Sequence, residues 1–366
     1  MKITAYKQDI GQQYLDPFKD NNVYPFNKIG KVVINKDTAE IKHWLGDTNS
    51  NVSQAGYPIN IDPATEDIMV YFPAFYYKRT WNGDVLDDSI LTDIPTTRYR
   101  EDYEVFPCFV REDGSIRPYV LYGAFKGVEV GGQLRSVVGS KPTVSKTISA
   151  FRDLARQGRD TKWNIETFQL VSMVQLLYKI GFQNLNSQAE LGNGWTNKSE
   201  SATTGETMLL GNRSGYYGSN GNQISLFGIE DFFGNIWSFV DGMLVQDDGY
   251  YITNNPSSFG TIASHEKIGA TPLMGADADA SVEGYFKTIE KISGVHKYAN
   301  IPNLLGGSAS GWYCDYLWSH RKTQTNICLF GANWSAGSPA GAFCLHLIDV
   351  ASKSSSAIGA RLCVLP

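Results

Sequence analysis

Residues 226–242 read LFGIEDFFGNIWSFVDG, and this stretch decides the fold. Gly228, Gly234 and Gly242 punctuate a block of aromatic and aliphatic side chains. Glycines placed in this way mark turns and close backbone approaches within strands rather than the period of a helix. Gly234 and Asn235 therefore read as the setting of a turn, and Trp237 as a plug in a core.

Working outward, two helical periods precede the block. Ser145 reads as the cap of a helix with Ile148, Phe151, Leu154 and Ala155 on its apolar face and Gly158 at its end. A second helix is predicted from Glu166 to Ile180, with Phe168, Val171, Leu176, Leu177 and Ile180 mostly on one side and Gly181 as its stop. No other segment has a convincing helical period. Further back, residues 67–79, DIMVYFPAFYYKR, predict two short strands or one bent edge strand broken at Pro73. Strand-like runs also occupy 30–34, 103–107 and 118–125. Pro58 and Pro63 frame the exit from the first segment. Residues 1–66 are thus expected to be a small strand-rich module, for mounting or oligomerisation or as a plain subdomain, and 67–366 the main domain. After Leu185 the chain is rich in loops, with polar stretches at 200–224 and 253–285. Strand-like pieces lie at 239–245, 341–347 and 361–365. The expected class is α+β.

Composition excludes several functions. The 366 residues carry a formal net charge of −5 with the signs mixed along the chain. That is not the basic stripe a phosphate backbone requires, so no nucleic-acid partner is expected. MKITAYKQDI has no apolar signal-peptide core and no run of about 18 apolar residues occurs, so neither secretion by a leader nor membrane insertion is expected. Cys108, Cys314, Cys328, Cys344 and Cys363 are odd in number and include no CxxC pair, which reads as buried reduced thiols. His43, His265, His296, His320 and His346 sit in no HExxH and near no GxSxG elbow. Asp277, Asp279 and Glu283 lack the ligand count and turn glycine of a calcium loop and read as solvated. No catalytic residue, metal or cofactor is expected.

The tail is the unusual piece. Residues 303–366 contain only six Asp, Glu, Lys or Arg residues, against 19% charged residues overall, and mix Ser, Gly, Ala and Asn with Trp, Tyr and Phe. Rigid aromatics beside small adaptable polar residues are the composition of a paratope. Trp312, Tyr313, Trp318 and Trp334 read as fixed aromatic anchors, at least one of them belonging to the core.

The central block, with Asp231, Gly234-Asn235, Trp237 and Val240-Asp241-Gly242, resembles the signature of the formylglycine-generating-enzyme branch of the C-type lectin fold. Ala150-Phe151-Arg152-Asp153-Leu154-Ala155 and the terminal Gly359-Ala360-Arg361-Leu362 fall where that resemblance, covering about 67–366, expects them. It implies a C-type lectin fold and, as the alternative function, a copper-dependent oxidase. The catalytic members hold copper with two cysteines close together near the C-terminus. Here Cys328 and Cys344 are sixteen residues apart, which departs from the pattern.

A second resemblance bears on the tail. Gly331-Ala332-Asn333-Trp334-Ser335-Ala336-Gly337, Ala340-Gly341-Ala342-Phe343-Cys344-Leu345 and Ile358-Gly359-Ala360-Arg361-Leu362 are similar to the framework of variable proteins of diversity-generating retroelements. In that family asparagine codons are randomised at their adenines, so AAC becomes NNC. Ser335, Ala336, Pro339, His346, Ile348, Asp349, Ser355 and Ala357 stand where the framework carries asparagine, and all eight are types NNC encodes. Ser319 and His320 pass the same test, with Arg321 and Thr323 as weaker members. The resemblance implies a non-enzymatic binding protein with a variable region at about 312–357. Those side chains, flanked by Trp312 and Trp334, would contact a bacterial surface protein or glycan. Gly341, Phe343 and Leu345 would hold the scaffold while His346, Ile348 and Asp349 face the partner. Residues 72–78, FPAFYYK, resemble an element of phage and prophage tail proteins of gut bacteria. That implies a virion tail, or the bacterial cytoplasm before assembly, with a homo-oligomer such as a trimer.

Overall fold

The structure, a computed structural model, describes residues 23–91, 103–246, 248–268, 281–320 and 324–366, with the side chain of His320 also outside the described set. It is a strand-rich α+β fold built on two large sheets. The first has six strands in the order Trp163–Ile165, Leu362–Val364, Tyr119–Gly123, Glu66–Pro73, Gly30–Asn35 and Ile41–Trp44. The second runs Glu266–Lys267, Gly249–Ile252, Trp237–Gln246, Asn326–Phe330, Leu345–Leu347, Tyr316–His320, Ser281–Ile289 and Pro302–Leu305, with Ile358–Gly359 pairing in parallel beside Trp237–Gln246. Residues 358–364 therefore stitch the two sheets together.

The boundary expected after residue 66 falls inside the first sheet. Gly30–Asn35 pairs along its whole length with Glu66–Pro73, from Gly30 opposite Tyr71 to Asn35 opposite Glu66. Val32, Val33 and Ile34 are fully buried and share one contiguous core with the tail strands. The run at 67–79 is two strands, Glu66–Pro73 and Tyr76–Asn82, parted after Pro73, whose ring removes a backbone donor.

The two helices depart from the sequence expectation at their ends. Thr147, not Ser145, caps Ile148–Arg156 by accepting from the Ala150 amide, and Ser145 sits outside in a left-handed turn. Thr167 caps Phe168–Phe182 through the Leu170 amide. Gly181 does not stop that helix; Gln183, at φ 52°, ends it. Every residue of this helix but the last is buried, so it has no solvent face. Two of its polar side chains are bonded internally: Gln175 Nε2 donates to the Ala342 carbonyl at 2.8 Å and Lys179 Nζ to Asp88 Oδ2 at 2.6 Å. A third short helix, Ser187–Leu191, was not predicted. Among the described residues no helix is long and apolar enough to cross a membrane.

The 226–242 block lies at the junction of the sheets. Gly234 (φ 82°) and Asn235 (φ 67°) form a left-handed turn whose Gly234 amide donates to the Gly331 carbonyl at 2.7 Å. Asn235 is buried; its Oδ1 accepts from the Ala202 amide at 3.0 Å and its Nδ2 donates to Asp231 Oδ2 at 2.9 Å. Arg361, also buried, donates to the carbonyls of Gly123, Glu230 and Asp231 at 2.7–2.9 Å. Its guanidinium thus satisfies backbone acceptors on both sides of the junction.

Candidate binding face

The tail's strands place one set of side chains on a common face. Tyr316–His320 pairs in parallel with Leu345–Leu347, Trp318 opposite His346. It pairs antiparallel with Ser281–Ile289, setting Glu283 opposite Trp318 and Tyr285 opposite Tyr316. Because side chains alternate along a strand, Tyr316, Trp318, His346, Glu283 and Tyr285 share one face. Leu317, Ser319, Leu345 and Leu347 point the other way and are buried.

On the outer face the rings form a continuous chain. Centroids are 5.1 Å apart for Tyr285 and Tyr316, 4.5 Å for Tyr316 and Trp318, 5.5 Å for Trp318 and Trp237, and 5.4 Å for Trp237 and His346. These are edge-on and tilted contacts of the kind aromatic quadrupoles favour, and they hold each ring in one orientation.

Two irregular loops rim it. In 331–340, Ser338 Oγ lies 2.7 Å from the Tyr285 hydroxyl. In 348–357, Asp349 stands between His346, whose Nδ1 is 3.5 Å away, and Lys353, whose Nζ is 3.2 Å away. Burial pushes the His346 imidazole below its ordinary value; the Asp349 carboxylate pulls it up and Lys353 pushes it further down.

Backbone bonds fix much of these loops, with help from Gln188, whose Nε2 donates to the Gly337 and Ala340 carbonyls at 3.0 and 2.8 Å. The Trp334 amide donates to the Asn235 carbonyl at 2.9 Å, the Lys198 amide to the Trp334 carbonyl at 2.7 Å, and the Gly337 amide to the Thr196 carbonyl at 2.7 Å. The carbonyls of Pro339, Asp349, Ser355 and Ala357 accept from the amides of Tyr316, Ile327, Ser145 and Trp237 at 3.2, 2.8, 2.9 and 2.9 Å. A scaffold held through its main chain keeps its shape when the side chains at those positions change.

The predicted site residues separate clearly. Ser335 is exposed, and Ala336, Pro339, His346, Ile348, Asp349, Ser355 and Ala357 are all half-buried. The interleaved Gly341, Phe343 and Leu345 are buried. Trp334 is half-buried at the base of its loop. Trp312 is 44% exposed on the loop before Tyr316–His320, with the Lys287 ammonium 5.6 Å from its ring, and is not part of the ring chain. Tyr313 is core. Ser319, expected at the contact surface, is fully buried because the strand's alternation turns it inward. The side chain of His320, and Arg321, Thr323, Asp277 and Asp279, lie outside the described residues.

Sequence reasoning did not single out Tyr285, Glu283 or Tyr316 for this face; Trp237, read as a plug in a core, is buried and also part of the ring chain. Tyr285 and Glu283 belong to the strand Ser281–Ile289, whose first five residues fall at the end of the stretch 253–285 read as polar. The signal was the alternation Val282, Gly284, Phe286 against Glu283, Tyr285, Lys287, blurred by Gly284.

The chemistry of the cysteines is that of buried thiols. All five are unpaired and buried, and burial pushes Cys328 and Cys344 far above the ordinary thiol range. Burial thus disfavours the thiolate at both positions. Among the described residues no group of three or more His, Cys, Asp or Glu side chains is placed to hold a metal. Two adjoining clefts, of about 450 and 480 Å³, share Arg111 and Glu112 and lie away from the ring chain.

No family model matches the chain, and no curated protein does. Among solved structures it is similar to Treponema denticola variable protein 1, at 12% identity and a TM-score of 0.34 over 85% of this chain and 98% of that one.

Proposed function

We propose that this chain is a non-enzymatic target-binding protein with a C-type-lectin-like scaffold, and that its tail displays a diversified set of side chains to a partner. The contact face is the ring chain Tyr285–Tyr316–Trp318–Trp237–His346, rimmed by 331–340 and 348–357. The target is a bacterial surface protein or glycan, and the setting is receptor recognition by a phage or prophage. One observation carries this reading. The eight positions that stand in place of framework asparagines are all at least partly accessible, while their backbone groups and buried neighbours hold the loops. A core segment would show the reverse, with side-chain identity fixed by packing.

Binding of the fluorescently labelled chain to a panel of bacterial cells, read by flow cytometry, tests it. On a strain the wild type stains, Trp318→Ala and His346→Ala lose staining, whereas Tyr57→Ala, at a residue 73% exposed in the first sheet's outer loops, keeps it. Unchanged staining by both face variants contradicts the assignment.

A further inference from the structure

A second constellation lies apart from the binding face, in the core beside the helix Phe168–Phe182. Lys179, Asp88, Arg79, Gln175 and Asn300 are all buried there. Lys179 Nζ is 2.6 Å from Asp88 Oδ2 and 3.0 Å from Asn300 Oδ1. Arg79 grips Asp88 with Nε and Nη2 at 2.6 and 2.8 Å, and its Nη2 also donates to Asn300 Oδ1 at 3.1 Å. Gln175 Oε1 accepts from Asn300 Nδ2 at 2.8 Å, so the amide is held from both ends.

The charges do not balance if both bases are protonated. Two cations would share one carboxylate in a dry site, and an unpaired buried charge is costly. Burial works against the Lys179 ammonium and, with Arg79 beside it, brings it down to about 7. Burial also works against ionised Asp88, but Arg79 and Lys179 hold it below the usual carboxylate range. The result is a lysine that is in part the neutral amine near pH 7, a carboxylate touching it, and an amide carbonyl whose oxygen already receives a guanidinium hydrogen bond.

We propose that Lys179 and Asn300 react with each other to form an intramolecular isopeptide bond with loss of ammonia. Lys179 Nζ attacks Asn300 Cγ, and the carbonyl electron pair moves onto Oδ1, where Arg79 stabilises it. Asp88 takes the proton that leaves Nζ. Collapse breaks the Cγ–Nδ2 bond, and Nδ2 departs as ammonia with the proton Asp88 held. Amine plus amide gives a new amide plus ammonia, with no oxidant or reductant. The product removes the surplus cation and leaves Arg79 and Asp88 as a one-to-one pair. It also ties the buried helix to the segment entering Pro302–Leu305, an edge of the sheet that bears the ring chain, across a separation of 121 residues. A chain whose five cysteines form no disulfide would gain a covalent staple in this way.

Mass spectrometry of the purified full chain tests this. The wild type is expected one ammonia lighter than its sequence, and a proteolytic digest yields a branched peptide joining Lys179 to Asn300. Lys179→Met restores the sequence mass. A succinimide at Asn82-Gly83 would also shed ammonia but gives no branched peptide, so the digest decides. Only linear peptides carrying Lys179 and Asn300 would overturn the proposal, whatever the intact mass.

Discussion

Asp315 occupies the space that a side chain at Gly341 would need: a Cβ on Gly341 would lie 1.6 Å from Asp315 Oδ1 and 2.8 Å from Ser187 Oγ. The fit joins the residue that precedes the strand Tyr316–His320 to the turn that precedes Leu345–Leu347. It thereby sets Trp318 beside His346. Burial pushes the Asp315 carboxyl well above the usual range, so the neutral acid is favoured there, with the Phe343 amide pulling the other way.

Gly341→Ala is therefore expected to cost about 1–3 kcal/mol, the usual range for overpacking. Asp315→Asn keeps the shape without a charge and is expected to cost far less. Urea unfolding midpoints check both. A Gly341→Ala protein with the wild-type midpoint would show that the turn has room this packing denies.

The alternation along Tyr316–His320 makes opposite predictions for neighbours. Ser319 Oγ is buried and has no hydrogen-bond partner among the described residues. Removing a hydroxyl of that kind costs little, so Ser319→Ala should stay within about 1 kcal/mol of wild type and leave cell binding intact. Trp318→Ala strips a half-buried ring from the chain and should cost about 1–3 kcal/mol, below the range for a fully buried Trp, while abolishing binding. Loss of binding in Ser319→Ala alone would mean that the strand presents its other face.

His346 offers a titration. Its imidazole should titrate below 6.5, its ordinary value, because burial disfavours the charged form. The sign for stability follows. The unfolded chain binds the proton first as pH falls through 6.5, so His346 lowers stability from there down to its own folded value and has no further effect below it. Asp349→Asn should lower the folded value further, and Lys353→Met should raise it. Imidazole NMR across pH reads all three, and a His346 value at or above 6.5 would mean that the ring is more open to water than its neighbours Trp237 and Trp318 allow.

Much of the scaffold was legible because its signals are local. Pro73 parts two strands, the 226–242 block sets a turn, and residues 148–156 and 168–182 show apolar helical content. Helix caps were misread because Ser145 and Thr147 are equivalent by type, and only the backbone shows which one turns into the helix. Gly181 misled because a helix buried on every side packs a glycine without exposing its backbone. The first 66 residues looked separable because pairing between Gly30–Asn35 and Glu66–Pro73 is a tertiary fact that no short window contains. The face itself was half legible. Spacing against a framework picked out His346 and Asp349, but Ser319 was lost to strand phase, and Tyr285 to a strand hidden in polar sequence.

On the proposed reading, a fixed scaffold carries replaceable side chains at 335, 336, 339, 346, 348, 349, 355 and 357. Sequencing the DNA around the coding region and comparing the tail with any near-copy beside a reverse-transcriptase gene tests it most directly. Mismatches are expected to fall on template adenines, gather in those eight codons and spare Gly341, Phe343 and Leu345. Mismatches at other bases, or spread equally over the buried framework codons, would contradict it.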